Sequence, residues 1–187
     1  MRTTLQRKLL EPRDAASLAA FRFLFGVILS LSSMRFLWNG WVERFYVRPT
    51  FFFKYWGFEW VEVLPEPWMT AAYLAMAVLG AFVAIGFFYR ISIVLLFLVF
   101  TYVELIDVTN YLNHYDLVSL LAFLMCFLPL HRAFSVDAWL RPGRLVPIVP
   151  AWMLYLLRFQ IGVVYFYAGI AKLQPDWLIH AQPLGIW

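Results

Sequence analysis

A lysine, a histidine and two asparagines are the side chains whose type and spacing could do chemistry here. Lys172 ends the apolar stretch YFYAGIAKLQPDW (165–177), whose one cation lies where hydrocarbon should give way to water. Counting back, Arg158, Tyr165 and Lys172 fall at i, i+7 and i+14, a drift of only about 40° around a helix. Gly162 and Gly169 share that face. Such a stripe on an otherwise apolar helix is expected to point into protein, although the glycines alone also suit close helix packing. A second cluster, Asn110, Asn113, His114 and Asp116, sits in NYLNHYD (110–116). Asp107, Asn110 and His114 share one face if a helix persists that far. A lysine acts as a base only when neutral, and desolvation favours that form. The bland readings are a lysine snorkelling to the headgroups and a histidine that is solvated or capping.

The elements that must position these groups are membrane helices. The chain has 187 residues, of which 64% are hydrophobic and 14% charged. Soluble domains run at about 45–50% apolar and about 25% charged, so the bilayer must be the solvent for most of this chain. Its mean hydropathy is +0.74. The basic residues that give the net charge of +4 form no aromatic-interleaved patch, which argues against nucleic acid. Cys126 is the single cysteine, and His114, His131 and His180 have no metal-ligand spacing, so neither a disulfide nor a metal site is expected.

Five apolar stretches approach the roughly 20 residues of a transmembrane helix: about 16–38, 68–88, 91–108, 117–130 with its flanks, and 151–171. The run between Arg90 and Pro129 holds no Gly or Pro but is too long for one helix, so it must turn at 110–116. Arg2, Arg7, Lys8, Arg13, Arg90, Arg132, Arg141 and Arg144 would lie inside if the N-terminus is cytoplasmic, against Arg44, Arg48, Lys54 and Lys172 outside. That bias favours a cytoplasmic N-terminus. The expected fold is all-α: a polytopic transmembrane helical bundle with about five spans, a basic cytoplasmic segment at 1–15 and a membrane domain at 16–187. The chain ends at LGIW without a polar tail, which reads as a segment of a longer membrane protein. An aromatic-rich outer loop at 39–67 is either an interfacial belt or, in part, the wall of an apolar slot. Charges within spans need partners; Arg22, Arg35 and Arg158 lie within spans, and Arg35 is expected to pair with Glu104 or Asp107.

The blocks NYLNHYDLVSLLAF, SVD (Ser135–Asp137) and LRFQIGVVYFYAGIAKLQPDW together resemble the vitamin K-dependent γ-glutamyl carboxylase family. FRFLFG (Phe21–Gly26), Arg35 and RPTFFFKYWGFEWVEVLPEPW resemble the wider HTTM group to which that carboxylase belongs. The resemblance runs in order from about Arg22 to Trp177. It implies that Lys172, last in Ala168-Gly169-Ile170-Ala171-Lys172, is the base that deprotonates vitamin K hydroquinone. The carboxylase has a Lys-Lys pair there, and this chain keeps the second lysine after Ala171. Asn113 and His114 match the family's assisting asparagine–histidine pair. Tyr165, Arg158, Gly169 and Asn110 are expected to line the quinol pocket. The implied activity is quinol epoxidation coupled to γ-carboxylation of protein glutamate. Its implied cofactor is a phylloquinol- or menaquinol-type hydroquinone, with O2 and CO2 as co-substrates and no metal. The partners are the lipid bilayer, the isoprenoid quinol and a glutamate-containing protein or peptide, with the site on the outer side of the plasma or inner membrane. The alternative is a non-catalytic member of the same group, such as a receptor, immunity or assembly factor, or a quinone-binding membrane subunit.

Overall fold

The computed structural model describes residues 4–110, 112–141, 143, 147–179 and 181, the side chains of Asn113 and Leu178 excepted. In chain order the helices are α1 (Thr4–Leu9), α2 (Ala16–Trp38), α3 (Trp68–Ile85), α4 (Tyr89–Leu105), α5 (Asn113–Phe127), α6 (Val136–Leu140), α7 (Ala151–Ala171) and α8 (Pro175–Leu178). Two three-residue strands, β1 (Pro12–Asp14) and β2 (Ile148–Pro150), pair antiparallel, Pro12 opposite Pro150. This ribbon departs from an all-α expectation. It ties the chain before α2 to the start of α7, and two backbone bonds flank it, Ala15 N to Pro147 O at 2.8 Å and Ala151 N to Glu11 O at 2.9 Å.

The long helices pack serially, α2 on α3, α3 on α4, α4 on α5 and α5 on α7. The α2–α3 contact is the tightest. A Cβ on Gly26 would lie 2.4 Å from Ala84 N and 2.5 Å from Gly80 O, so only a residue without a side chain lets the two backbones approach. Leu29, Met76, Val83, Ile93, Leu96, Ala122 and Met125 fill the core between these helices. Phe23, Leu24, Ile28 and Leu31 on the far side of α2 are exposed, the placement expected where hydrocarbon is the solvent.

α2, α3 and α7 are long and apolar enough to cross a membrane. α4 has 17 residues and α5 has 15, or about 26 and 22 Å at 1.5 Å per residue, short of a core about 30 Å thick. The α3–α4 turn falls earlier than apolar length alone places it, for a local reason. Gly86 adopts φ 67° and ends α3, and its missing Cβ makes room for Ser135, whose Cβ would otherwise be 2.4 Å away. The Asp137 carboxylate then accepts from Phe88 N and Tyr89 N, both at 2.9 Å, and so opens α4. The α4–α5 turn is also early: α4 stops at Leu105, a 3-10 turn covers Val108–Asn110, and α5 starts at Asn113. His114 and Asp116 therefore stand in the first turn of a helix rather than in a loop. The helical face proposed for Asp107, Asn110 and His114 does not exist, because the helix breaks before Asp107.

Arg22 explains how a charge survives inside α2. It is 2% exposed, and its guanidinium donates to Leu130 O at 2.6 Å, Phe134 O at 2.5 Å, Ala133 O at 3.3 Å and Ala84 O at 3.4 Å. Its partners are thus one carbonyl in the last turn of α3, a group a helix leaves unsatisfied, and three in the segment that follows α5.

Candidate functional site

At the end of the bundle formed by the C-termini of α2 and α4 and the N-terminus of α5 there is a cavity of about 520 Å3. α2 contributes Ser32, Ser33, Arg35 and Phe36, α3 contributes Tyr73 and Met76, and α4 contributes Phe100, Val103 and Glu104. The turn and α5 add Asn110, Leu112, His114 and Tyr115. A π-helical turn at Glu43–Val47 folds the aromatic loop back over it, so that Trp41, Arg44, Phe45 and Tyr46 complete the wall. Part of the loop thus walls the cavity, while Phe51, Trp56 and Trp60 stay exposed.

The walls are aromatic and the polar groups converge. Phe36 stacks on Tyr73 at 4.6 Å, and the Tyr46 ring lies 5.8 Å from that of Tyr73. Burial pushes the Tyr46 phenol up to about 12, so it stays protonated and able to donate. His114 meets Tyr115 edge to face at 4.7 Å, with its own ring exposed to the cavity mouth. Glu104 accepts from Ser119 Oγ at 2.8 Å, while its Oε1 is buried without a hydrogen-bond partner. Such an oxygen wants a donor. The arrangement suits an amphiphile with a flat ring and hydroxyl or carbonyl groups.

Among the described residues no ion pair joins Arg35 to Glu104 or Asp107, which corrects that expectation. Arg35 is exposed and holds its guanidinium 5.4 Å from the centre of the Trp41 ring. Asp107 is buried and structural: its Oδ1 accepts from Thr109 Oγ1 at 2.8 Å, Thr109 N at 3.0 Å and Phe53 N at 3.3 Å. With Val108 N to Phe53 O at 2.8 Å, it fastens the outer loop to the α4–α5 turn.

The α7 stripe is not where its periodicity suggested. Arg158, Gly162, Tyr165, Gly169 and Lys172 are all exposed, and none lines the cavity. A Cβ on Gly162 or Gly169 would meet nothing within 4 Å. Only the first third of α7, through Ala151 and Leu157, is buried. Lys172 caps the helix with its Nζ 5.2 Å from the centre of the Trp177 ring. The structure therefore brings Asn110 and His114 together with Arg35 and Glu104, but not with Lys172, Tyr165, Arg158 or Gly169. The side chain of Asn113, and all of His180, lie outside the described residues.

Sequence reasoning missed Tyr73 and Tyr115 as cavity residues, and covered Arg44 and Tyr46 only through the outer loop that was expected in part to wall a slot. Only a polar Ser32-Ser33 pair inside an apolar helix signalled that this end of α2 faces something other than lipid. Ser135 and Asp137, by contrast, prove to be capping residues of α6 and α4. The family model of the HTTM domain matches residues 10–187, and no solved structure matches the chain.

Proposed function

The chain belongs to the HTTM domain family, and from that premise we propose that it is a membrane enzyme coupling oxygenation of an isoprenoid hydroquinone to γ-carboxylation of glutamate in a protein or peptide. The observation that carries the reading is the cavity of about 520 Å3 in which His114, Asn110, Arg35 and Glu104 converge under aromatic walls. A quinol ring is flat, amphiphilic and carries two hydroxyls, which matches Phe36, Tyr73 and Phe100 as walls and Glu104 Oε1 and His114 as polar partners. When bound, the quinol would supply the reducing power that, with oxygen, generates a base strong enough to take a γ-proton from glutamate.

The chain's own part is to bind the ring, orient its hydroxyls, move a proton and exclude water. His114 and Asn113 stand in the first turn of α5 to assist at the ring. Lys172 is the proposed base. That role requires the outer part of α7 to close on the α4–α5 turn, and Gly162 and Gly169 leave its face free for close approach. Hydroquinone-dependent epoxide formation by the full-length protein, with and without a glutamate-containing peptide, tests the proposal. Lys172→Ala is expected to abolish turnover and His114→Ala to lower it by about 10²-fold or more. Undiminished epoxidation in Lys172→Ala would overturn the assignment of the base.

A second reading is favoured by one observation, the exposure of Lys172 outside the cavity. In it the same cavity holds a quinone or lipid without turnover, in a receptor, immunity or assembly factor, or in a quinone-binding subunit. Quinone that copurifies with the protein but yields no epoxide would favour it.

A further inference from the structure

The opposite end of the bundle carries a second cavity, of about 600 Å3, between the start of α4, the segment after α5, and α6. Its charged lining is Arg90, Arg132, Arg141 and Asp137, beside His131. The carboxylate is already engaged, both Asp137 oxygens accepting from the backbone N–H groups that open α4. Arg90 donates one guanidinium bond to Cys126 O at 2.7 Å. The Arg132 and Arg141 side chains are exposed and make no ion pair or hydrogen bond among the described residues. His131 Nδ1 is buried without a partner. The cavity thus holds three guanidiniums against one carboxylate, a net positive charge that a bound anion would offset.

The rim is apolar. Phe88, Ile91 and Leu140 line the cavity and are each more than half exposed. Phe134 and Trp139 stand nearby on the same segment, 71% and 78% exposed. Trp is the residue that favours the headgroup level of a bilayer, so this end of the bundle has the composition of the interface. Arginine groups below an apolar lip are complementary to a phosphate that carries acyl chains.

We propose that this cavity binds the phosphate of an anionic phospholipid, with Arg132 and Arg141 on the headgroup and Phe88, Ile91 and Leu140 against the chains. Such a site would seat the α3–α4 turn at the interface. It is separate from the quinol cavity and stands or falls independently of the proposed enzyme activity.

The test uses the purified full chain in nanodiscs of phosphatidylcholine doped with phosphatidylglycerol, with bound lipid counted by native mass spectrometry. At about fivefold for each free arginine near a membrane surface, wild type should prefer phosphatidylglycerol by about thirtyfold. The Arg132→Gln/Arg141→Gln protein should lose that preference, while Arg7→Gln/Lys8→Gln, a change of equal charge on α1, should keep it. Inorganic phosphate is titrated in parallel. If phosphate alone protects wild type but not the double variant from thermal unfolding, and the lipid adds nothing, the anion site stands with free phosphate as its source. Equal loss in the α1 variant, or a preference unchanged in the Arg132/Arg141 variant, overturns the proposal. Thermal unfolding without lipid separates misfolding from lost binding, since neither arginine holds the fold, and the single Arg141→Gln protein serves if the double variant is unstable.

Discussion

Replacing Arg22 should cost more stability than any other single polar substitution in the helices, and the cost can be worked from its contacts. In Arg22→Met the side chain keeps its length and apolar stem but loses every donor. Four carbonyls then lose their partner, three of them in buried contacts, with two held at 2.6 and 2.5 Å and two at 3.3 and 3.4 Å. Bonds to a charged donor are worth about 1.5–3 kcal/mol each. Counting the two short ones in full and the long ones as small gives about 4 kcal/mol. For a chain of this size each kcal/mol shifts Tm by roughly 2–4 °C, so a fall of about 8–16 °C is expected. Intrinsic fluorescence of the nine tryptophans in detergent-solubilised protein reads the transition. Arg22→Lys should recover less than half of the loss, because one ammonium cannot span carbonyls both in the last turn of α3 and in the segment after α5. An Arg22→Met protein melting within about 2 °C of wild type would refute the reasoning, for it would mean that water reaches those carbonyls.

Further outcomes follow from other features. His131 lies on the Tyr89 ring at 5.4 Å and faces Arg90, Arg132 and Arg22, with Asp137 as the opposing charge. Burial first and those cations second hold its pKa below the usual 6.5. The unfolded chain then takes up the proton at higher pH than the fold does, so stability should fall as pH drops below about 6.5, and His131→Gln should flatten Tm between pH 7.5 and 5.5. Gly26→Ala should separate α2 from α3 and cost about 1–3 kcal/mol, seen as a lower Tm. Gly162→Ala should cost nothing and add up to about 1 kcal/mol of helix propensity; a loss equal to that of Gly26→Ala would show that the α7 face packs on something.

The parts of the fold legible in the sequence were those set by local apolar length. α2 and α7 begin and end where their apolar runs do. The turns were misplaced because distant residues set them: Asp137 opens α4 from 48 and 49 residues away in sequence, and the Asp107 contacts with Phe53 and Thr109 close its other end. The candidate site divides in the same way. His114 and Asn110 reach the cavity because the hairpin forces that turn against the end of α2. Arg158, Tyr165 and Lys172 share a face as their period requires, but a period gives the face and not the surface that covers it. Arg35 and Arg22 reveal a different gap. A charge in an apolar run signals that a partner exists, yet the partner can be a ring or a row of carbonyls, neither of which the charge pattern reveals.

The small β1–β2 ribbon constrains how the chain threads the bilayer. Pro12–Asp14 precedes α2 and Ile148–Pro150 precedes α7, and since the two strands hydrogen-bond they lie on one side of the membrane. The number of crossings between them must then be even: two if the α4–α5 hairpin dips in and returns, four if both of its helices traverse. Either count sends α2 and α7 across in the same direction. Trp38 and Ala171 would then emerge on a common face, which puts Lys172 on the same side as the cavity that His114 lines.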